Sequence, residues 1–319
     1  MAEIDRSTAD NHWERRALEK VALAAIQEQR RARQWGIFFK LLLFIYLFVL
    51  LFIGMGWVGK KDSSSGKHTA LVELRGVIGP ESAASADNVI LGLQEAFKDK
   101  RTQGVILRIN SPGGSPVQAA HINDEIKRLR VKYPNIALYA VVEDICASGG
   151  YYVAVAADQI YVDKGSIVGS IGVLMDGFGF TGLMEKLGVE RRLLAAGENK
   201  GFLDPFSPIR ESQVQYAETM LEEIHKQFIT VVRQGRGERL KETPELFSGL
   251  LWVGTRSVEL GLADALGSVD YVAREIIKAE DIVDFTPREN IAERVARRFG
   301  AAMAETLVRS AVSAAPTLR

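Results

Sequence analysis

The chain has 319 residues, 47% hydrophobic and 25% charged, a balance that supports one sizeable core with appendages and argues against disorder throughout. Forty basic and forty acidic side chains cancel, and the pI is near 6.9, so no broad positive field invites nucleic acid. Cys146 is the single cysteine, which excludes an intrachain disulfide and a cysteine-built metal cluster. His12, His68, His121 and His225 are scattered in no ligand spacing, and neither metal nor cofactor is expected.

Residues 1–34 are rich in Arg, Glu, Gln and Ala and read as a charged tail, helical or partly disordered. The run LLLFIYLFVLLFIGMGWV follows from Leu41 to Val58. With Trp35 to Phe39 added it can cross a hydrocarbon core of about 30 Å at a rise of about 1.5 Å per residue. It is too long and begins too late for the apolar part of a secretion signal, and no A-x-A-like cleavage site follows at once. A transmembrane helix is therefore predicted over residues 35–59. Arg15, Arg16, Lys20, Arg30, Arg31, Arg33 and Lys40 precede it, against Lys60, Lys61 and Lys67 just after it. That asymmetry favours a cytoplasmic N-terminus, with the bulk of the chain on the periplasmic or extracytoplasmic side. KKDSSSGKH, residues 60–68, has the composition of a flexible linker.

From Thr69 onward short β-branched runs alternate with longer helical ones, the signature of crossover units around a mainly parallel sheet, and hence of the α/β class. Strands are predicted at Ala70 to Leu74, Gly104 to Ile109, Ile136 to Val142, Gln159 to Val162 and Val189 to Leu193. Helices are predicted at Ala86 to Asp99, Pro116 to Val131, Gly149 to Ala157 and Ile209 to Arg233. This body occupies residues 69–284, and residues 285–319 carry apolar residues at helical spacing with arginines between them, as in an amphipathic helix.

Two turns carry chemistry. Asn110-Ser111-Pro112-Gly113-Gly114-Ser115 joins a strand to a helix, and its glycines let the backbone approach a ligand closely and offer amides to an oxyanion. A plain tight turn has the same appearance. Ala147-Ser148-Gly149-Gly150 again lies between strand and helix. Ser148 there reads equally as a helix cap or as a nucleophile beside the Gly149 amide. A serine hydroxyl needs a base, and the histidines are poorly placed to supply one. Lysine can serve where burial allows a neutral amine. Lys164 reads as a turn residue, Lys186 as solvated, and Lys200 lies in AAGENKGFLDPFSP, where an apolar pocket could enclose an amine, although spacing alone leaves it a surface lysine. Cys146 is a rival nucleophile in principle, but on the strand side of the turn it should face the core.

The blocks LRINSPGGS, DICASGGYYVAVAADQIYVDKGSIVGSIGV, AGENKGFLDPFSP and GTRSVELGLADALG stand in this order between Ala70 and Asp284. Together they resemble the signal peptide peptidase A family, the membrane serine proteases of peptidase family S49. The resemblance implies a Clp-protease-like or crotonase-like α/β fold of repeated ββα and βα units. It also implies a Ser/Lys dyad with Ser148 as nucleophile and Lys200 as general base. Gly114 and Gly149 fall on the oxyanion amides, and Ser170 falls where a hydroxyl orients the lysine. Glu198 and Asn199 depart from the pattern, since a tyrosine often precedes the lysine. One copy of the unit matches the short form of the family, which implies a homo-oligomeric ring or dome, such as an octamer, in a bacterial inner membrane. The implied substrates are peptides, including cleaved signal peptides, with small or apolar side chains next to the cut bond. A crotonase-like acyl-CoA enzyme and a non-catalytic membrane scaffold are the rival readings.

Overall fold

The computed structural model describes residues 4–54 and 66–287. The chain divides into two units, residues 63–287 forming one and residues 1–62 with 288–319 the other. The amphipathic helix predicted within residues 285–319 falls almost wholly outside the described residues.

In the N-terminal unit a single helix, α1 (Ile4–Gly54, 51 residues), carries the charged tail and the apolar run without a break. The apolar stretch within Leu18–Leu51 reaches a mean hydropathy of 2.1 and is wholly unburied, so this is one helix long and apolar enough to cross a membrane.

The second unit is a mixed α/β fold on an eight-stranded sheet. Its strands are β1 (His68–Arg75), β2 (Thr102–Ser111), β3 (Ala137–Ala147), β4 (Gln159–Val162), β5 (Ile167–Gly169), β6 (Leu251–Val253), β7 (Ala265–Leu266) and β8 (Ile282–Asp284). The order β6-β5-β3-β2-β1-β8 runs across the sheet, with β4 paired to β3 and β7. Every pairing is parallel except β5 with β6. Strand β3 is shared along its length. Its first half, Tyr139 to Val141, pairs with β4, and its end, Ile145 to Ala147, pairs with β5. The longer strands are buried on both faces, as crossover connections require.

Helices α2 (Ala86–Lys98), α3 (Pro116–Lys132), α4 (Gly149–Ala154) and the long α6 (Glu211–Arg236) cover one face, enclosing Leu74, Leu93, Leu107, Ile122, Tyr151 and Val232. A smaller cluster on the other face joins Leu71, Ile106, Val141 and Tyr161 to Val272 and Ala273. Local signals start two of the helices. Ser85 caps α2 through the Asn88 N–H, and Ser115 caps α3 through the Gln118 N–H with Pro116 in the first turn. Among the described residues the unit also holds two short helices, α5 (Thr181–Lys186) and α7 (Gly254–Glu259), a 3-10 turn at Gly237–Arg239 and a helical stretch through Val269–Tyr271 and Val272–Ile277.

Four of the predicted strands form, each within a few residues of its expected bounds, and so do the four predicted helices. The strand predicted at Val189–Leu193 does not. These residues are irregular and exposed, and no neighbouring strand offers them ladder bonds. The whole excursion from Leu174 to Leu194 is loosely covered, with Leu174, Phe178, Leu187 and Leu194 each more than two-thirds exposed.

Candidate active site

The sheet's register sets the site. Ala147 at the end of β3 pairs with Gly169 at the end of β5, so the next residues, Ser148 and Ser170, stand side by side where the strands stop. Both are non-glycine residues in the left-handed region, each at φ 51°. The Ser148 N–H donates to the Gly169 carbonyl at 2.9 Å, and the Ser170 N–H to the Leu250 carbonyl at 2.8 Å. Those bonds hold two strained backbones in place, an arrangement that costs of order 1–3 kcal/mol each. Ser148 precedes α4 as its N-cap residue but makes no side-chain capping bond, which leaves its hydroxyl free of the structural role that its position suggested.

The Pro112-Gly113-Gly114 turn closes the other side. Gly113 packs so tightly on the serine turn that a Cβ there would stand 2.7 Å from both the Gly149 nitrogen and the Ser148 Cβ. Gly114, at φ 146°, forms a parallel bridge with Ile78, and any Cβ on it would overlap the Ile78 carbonyl. In that bridge the Gly113 carbonyl and the Ser115 N–H bond Ile78, so the Gly114 N–H points the opposite way. The Gly114 nitrogen is close enough to Gly149 that a Cβ on Gly149 would lie 3.3 Å from it. Gly149 opens α4, where the N–H has no intrahelical acceptor. Among the described residues neither amide meets an acceptor.

Ser148, Gly149, Gly114 and Ser170 line one cleft of about 840 Å³. Its walls are mostly apolar, from Val117, Ala119 and Ala120 on α3, Tyr152 on α4, and Ile224 and Phe228 on α6. Tyr152 and Phe228 form an aromatic pair with centroids 5.2 Å apart. Lys200 does not line the cleft. It is exposed, in a turn closed by its own N–H on the Gly197 carbonyl at 3.1 Å. The sequence brings four of its five site residues to one place, and the single chain provides no cover for the fifth.

The rival groups fare differently. Cys146 is fully buried, and burial pushes its thiol far up from the ordinary range, so the thiolate is suppressed. His121 is exposed. His225, half-buried on α6, has its Nε2 3.1 Å from the Ile171 carbonyl and so props the wall that follows Ser170. Lys164 sits in a turn and Lys186 on α5, both exposed. The α6 contribution to the cleft was not legible, because nothing in an amphipathic helix says which surface its apolar stripe will face.

Comparison with known proteins first gives the class, a peptidase domain. Residues 131–282 match the sequence profile of peptidase family S49. A putative protease of Methanocaldococcus jannaschii is 32% identical over 216 residues, 66% of this chain and 68% of its own. A putative signal peptide peptidase SppA of Enterococcus faecium is 28% identical over 234 residues, 71% of this chain and 67% of its own. A Brucella abortus protein named Na(+)/H(+) antiporter NhaA is 46% identical over 177 residues, 56% of this chain, and the chain spans only 24% of that relative's length. The chain belongs to peptidase family S49, a family of serine-type proteases.

Proposed function

We propose that this chain is a membrane-anchored serine endopeptidase with Ser148 as nucleophile and Lys200 as general base. The observation that carries the reading is the cleft itself, with a serine that makes no capping bond held at φ 51° beside two amides that meet no acceptor among the described residues. Ser148 attacks a peptide carbonyl and passes its proton to the amine of Lys200. The Gly114 and Gly149 amides hold the developing oxyanion. The amine then protonates the leaving group, and water deprotonated by the same amine hydrolyses the acyl-enzyme. Ser170, next to Ser148 where β3 and β5 end, orients the lysine.

A base must be sheltered from water to be neutral near pH 7, and Lys200 is exposed on the single chain. Its loop is tied to α6 at Gln213, whereas the cleft takes Ile224 and Phe228 from the same helix. At about 1.5 Å per residue these points are roughly 16–22 Å apart. A lysine from an adjacent copy is the economical way to complete the site, which fits the homo-oligomeric ring or dome of the family's short form and its Clp-protease-like or crotonase-like fold. The apolar walls suit substrates with small or apolar side chains beside the cut bond. A catalytic unit tethered to a membrane helix, extracytoplasmic in the bacterial inner membrane, meets cleaved signal peptides readily.

The test uses full-length protein in detergent, a fluorogenic apolar peptide and a fluorophosphonate probe. Ser148→Ala is expected to lose both hydrolysis and labelling, and Lys200→Ala to lose hydrolysis while staying folded. Co-assembly of the two inactive variants should restore hydrolysis by pairing an intact serine with a neighbour's lysine. Full activity in either single variant would refute the dyad, and failure of the mixture to recover would refute its division between copies.

A further inference from the structure

Gln213 lies near the start of α6 and is 4% exposed. Its side-chain Oε1 accepts the Leu203 N–H at 3.2 Å. Leu203 is one of four non-glycine residues with positive φ among the described residues, at 49°. The remaining hydrogen bonds of residues 197–207 stay within the loop or reach the segment around α5. Asp204 N–H meets the Gly201 carbonyl, Ser207 Oγ donates to Asp204 at 2.6 Å, Arg191 reaches Asp204 at 3.4 Å, and Phe180 N–H donates to the Pro205 carbonyl at 2.7 Å. Helix α5 buries none of its own residues, so it gives that loop no firm footing. Among the described residues, the Gln213 contact is therefore the hydrogen bond by which the lysine loop is fastened to the helix that also walls the cleft. A ring contact between Phe202 and Tyr216, with centroids 5.8 Å apart, lies beside it.

We infer that Gln213 is a positioning residue that fixes the Lys200 loop on α6 through the backbone of Leu203. The inference rests on the reading of Lys200 as the base. A side-chain acceptor suits this place because Leu203 is held in a conformation that non-glycine residues seldom adopt, and its N–H would otherwise go unpaired in a half-buried position. A buried amide with few open rotamers is a stiff fastener. Among the described residues the Nε2 of Gln213 has no hydrogen-bond partner, so the bond made by the side chain is the one at its carbonyl end. Loss of that acceptor frees the turn at Leu203 and, three residues away, the lysine. The cleft walls stay as they are. The effect should appear in the chemical step and not in substrate binding.

The experiment measures kcat and KM of the full chain in detergent for Gln213→Leu, Gln213→Asn and Gln213→Glu, alongside Lys200→Ala. Gln213→Leu, which removes the acceptor, should lower kcat about 10- to 100-fold and leave KM within about twofold. Gln213→Glu restores an acceptor of the same length and should recover most of the rate. Wild-type kcat in Gln213→Leu, or no recovery in Gln213→Glu, would overturn the inference. If Gln213→Leu does not fold, Gln213→Asn is read in its place, since it stays polar but draws the acceptor back by one methylene. Reduced kcat there supports the inference, and an unchanged one overturns it. Wild-type activity in Lys200→Ala would instead remove the underlying reading. An inactive Lys200→Ala with a fully active Gln213→Leu would remove this inference alone.

Discussion

Ser148 occupies a backbone conformation that only glycine adopts freely, and its immediate neighbours keep it there. Substitution to glycine should relieve the strain while deleting the hydroxyl. Ser148→Gly is expected to be inactive yet at least as stable as the parent, with a gain of up to about 1 kcal/mol in chemical denaturation. The opposite holds at Gly114, where a methyl group collides with the Ile78 carbonyl. Gly114→Ala should push the turn away from Ser148 and, on the proposed role of its amide as an oxyanion donor, lower kcat by about 10²–10³, measured as peptide turnover in protein that still folds. Burial suppresses ionisation of Cys146, so iodoacetamide should fail to label the native protein and react only after denaturation. Ser148 and Gly114 were legible in the sequence because each sits in a glycine-flanked turn between a strand and a helix, a purely local pattern, and Cys146 because it falls on the strand just before one. The exposure of Lys200 was not legible, since it depends on what the folded chain places nearby, and the part played by Gln213 links positions ten residues apart through a side chain.

At the scale of elements, the long strands and helices follow from periodicity, but β5, β6, β7 and β8 are two or three residues each and exist only because a neighbour offers a ladder. No window of sequence that short carries a period. The end of α6 shows how tertiary contacts decide the rest. Arg236, 1% exposed, grips Asp264 with two bonds of 2.8 and 2.9 Å and also donates to the Gly261 carbonyl at 2.7 Å. Asp264 in turn accepts the Ile160 N–H at 2.7 Å, joining α6 to β4. Burial alone would raise the Asp264 carboxyl, but the hydrogen bonds and charge of Arg236, with Arg239 and the Ile160 amide, outweigh it and hold it below the ordinary 3.8. A carboxyl depressed in the folded state contributes stability that is complete above its unfolded value and fades as pH falls through the folded one. The contribution should therefore begin to fall as the pH drops below about 3.8 and be lost on passing the lower folded value. Arg236→Met leaves that carboxylate without its main partner and is expected to cost about 3–5 kcal/mol near neutral pH. The difference from the parent should shrink in acid, as followed by denaturant unfolding at several pH values.

For the whole molecule, α1 is 51 residues long, about 75 Å at helical rise, against a hydrocarbon core of roughly 30 Å. More than half of it must lie outside the bilayer if the apolar run crosses. Removal of residues 1–54 should abolish recovery in the membrane fraction after alkaline washing, while the unit of residues 63–287 retains its far-ultraviolet circular dichroism, since its core clusters are built from residues of that unit. The existence of the helix was plain from composition. Its unbroken run through the charged tail was not, because a tail rich in Arg, Glu, Gln and Ala reads equally as helix or as disordered chain.

The apolar side chains left uncovered between Leu174 and Leu194 have a further consequence. A surface of that kind favours a covering partner, and if the proposed neighbouring copy supplies the cover, the specific rate of peptide hydrolysis should depend on how crowded the protein's own molecules are. Progressive dilution would then silence hydrolysis long before the chain unfolds.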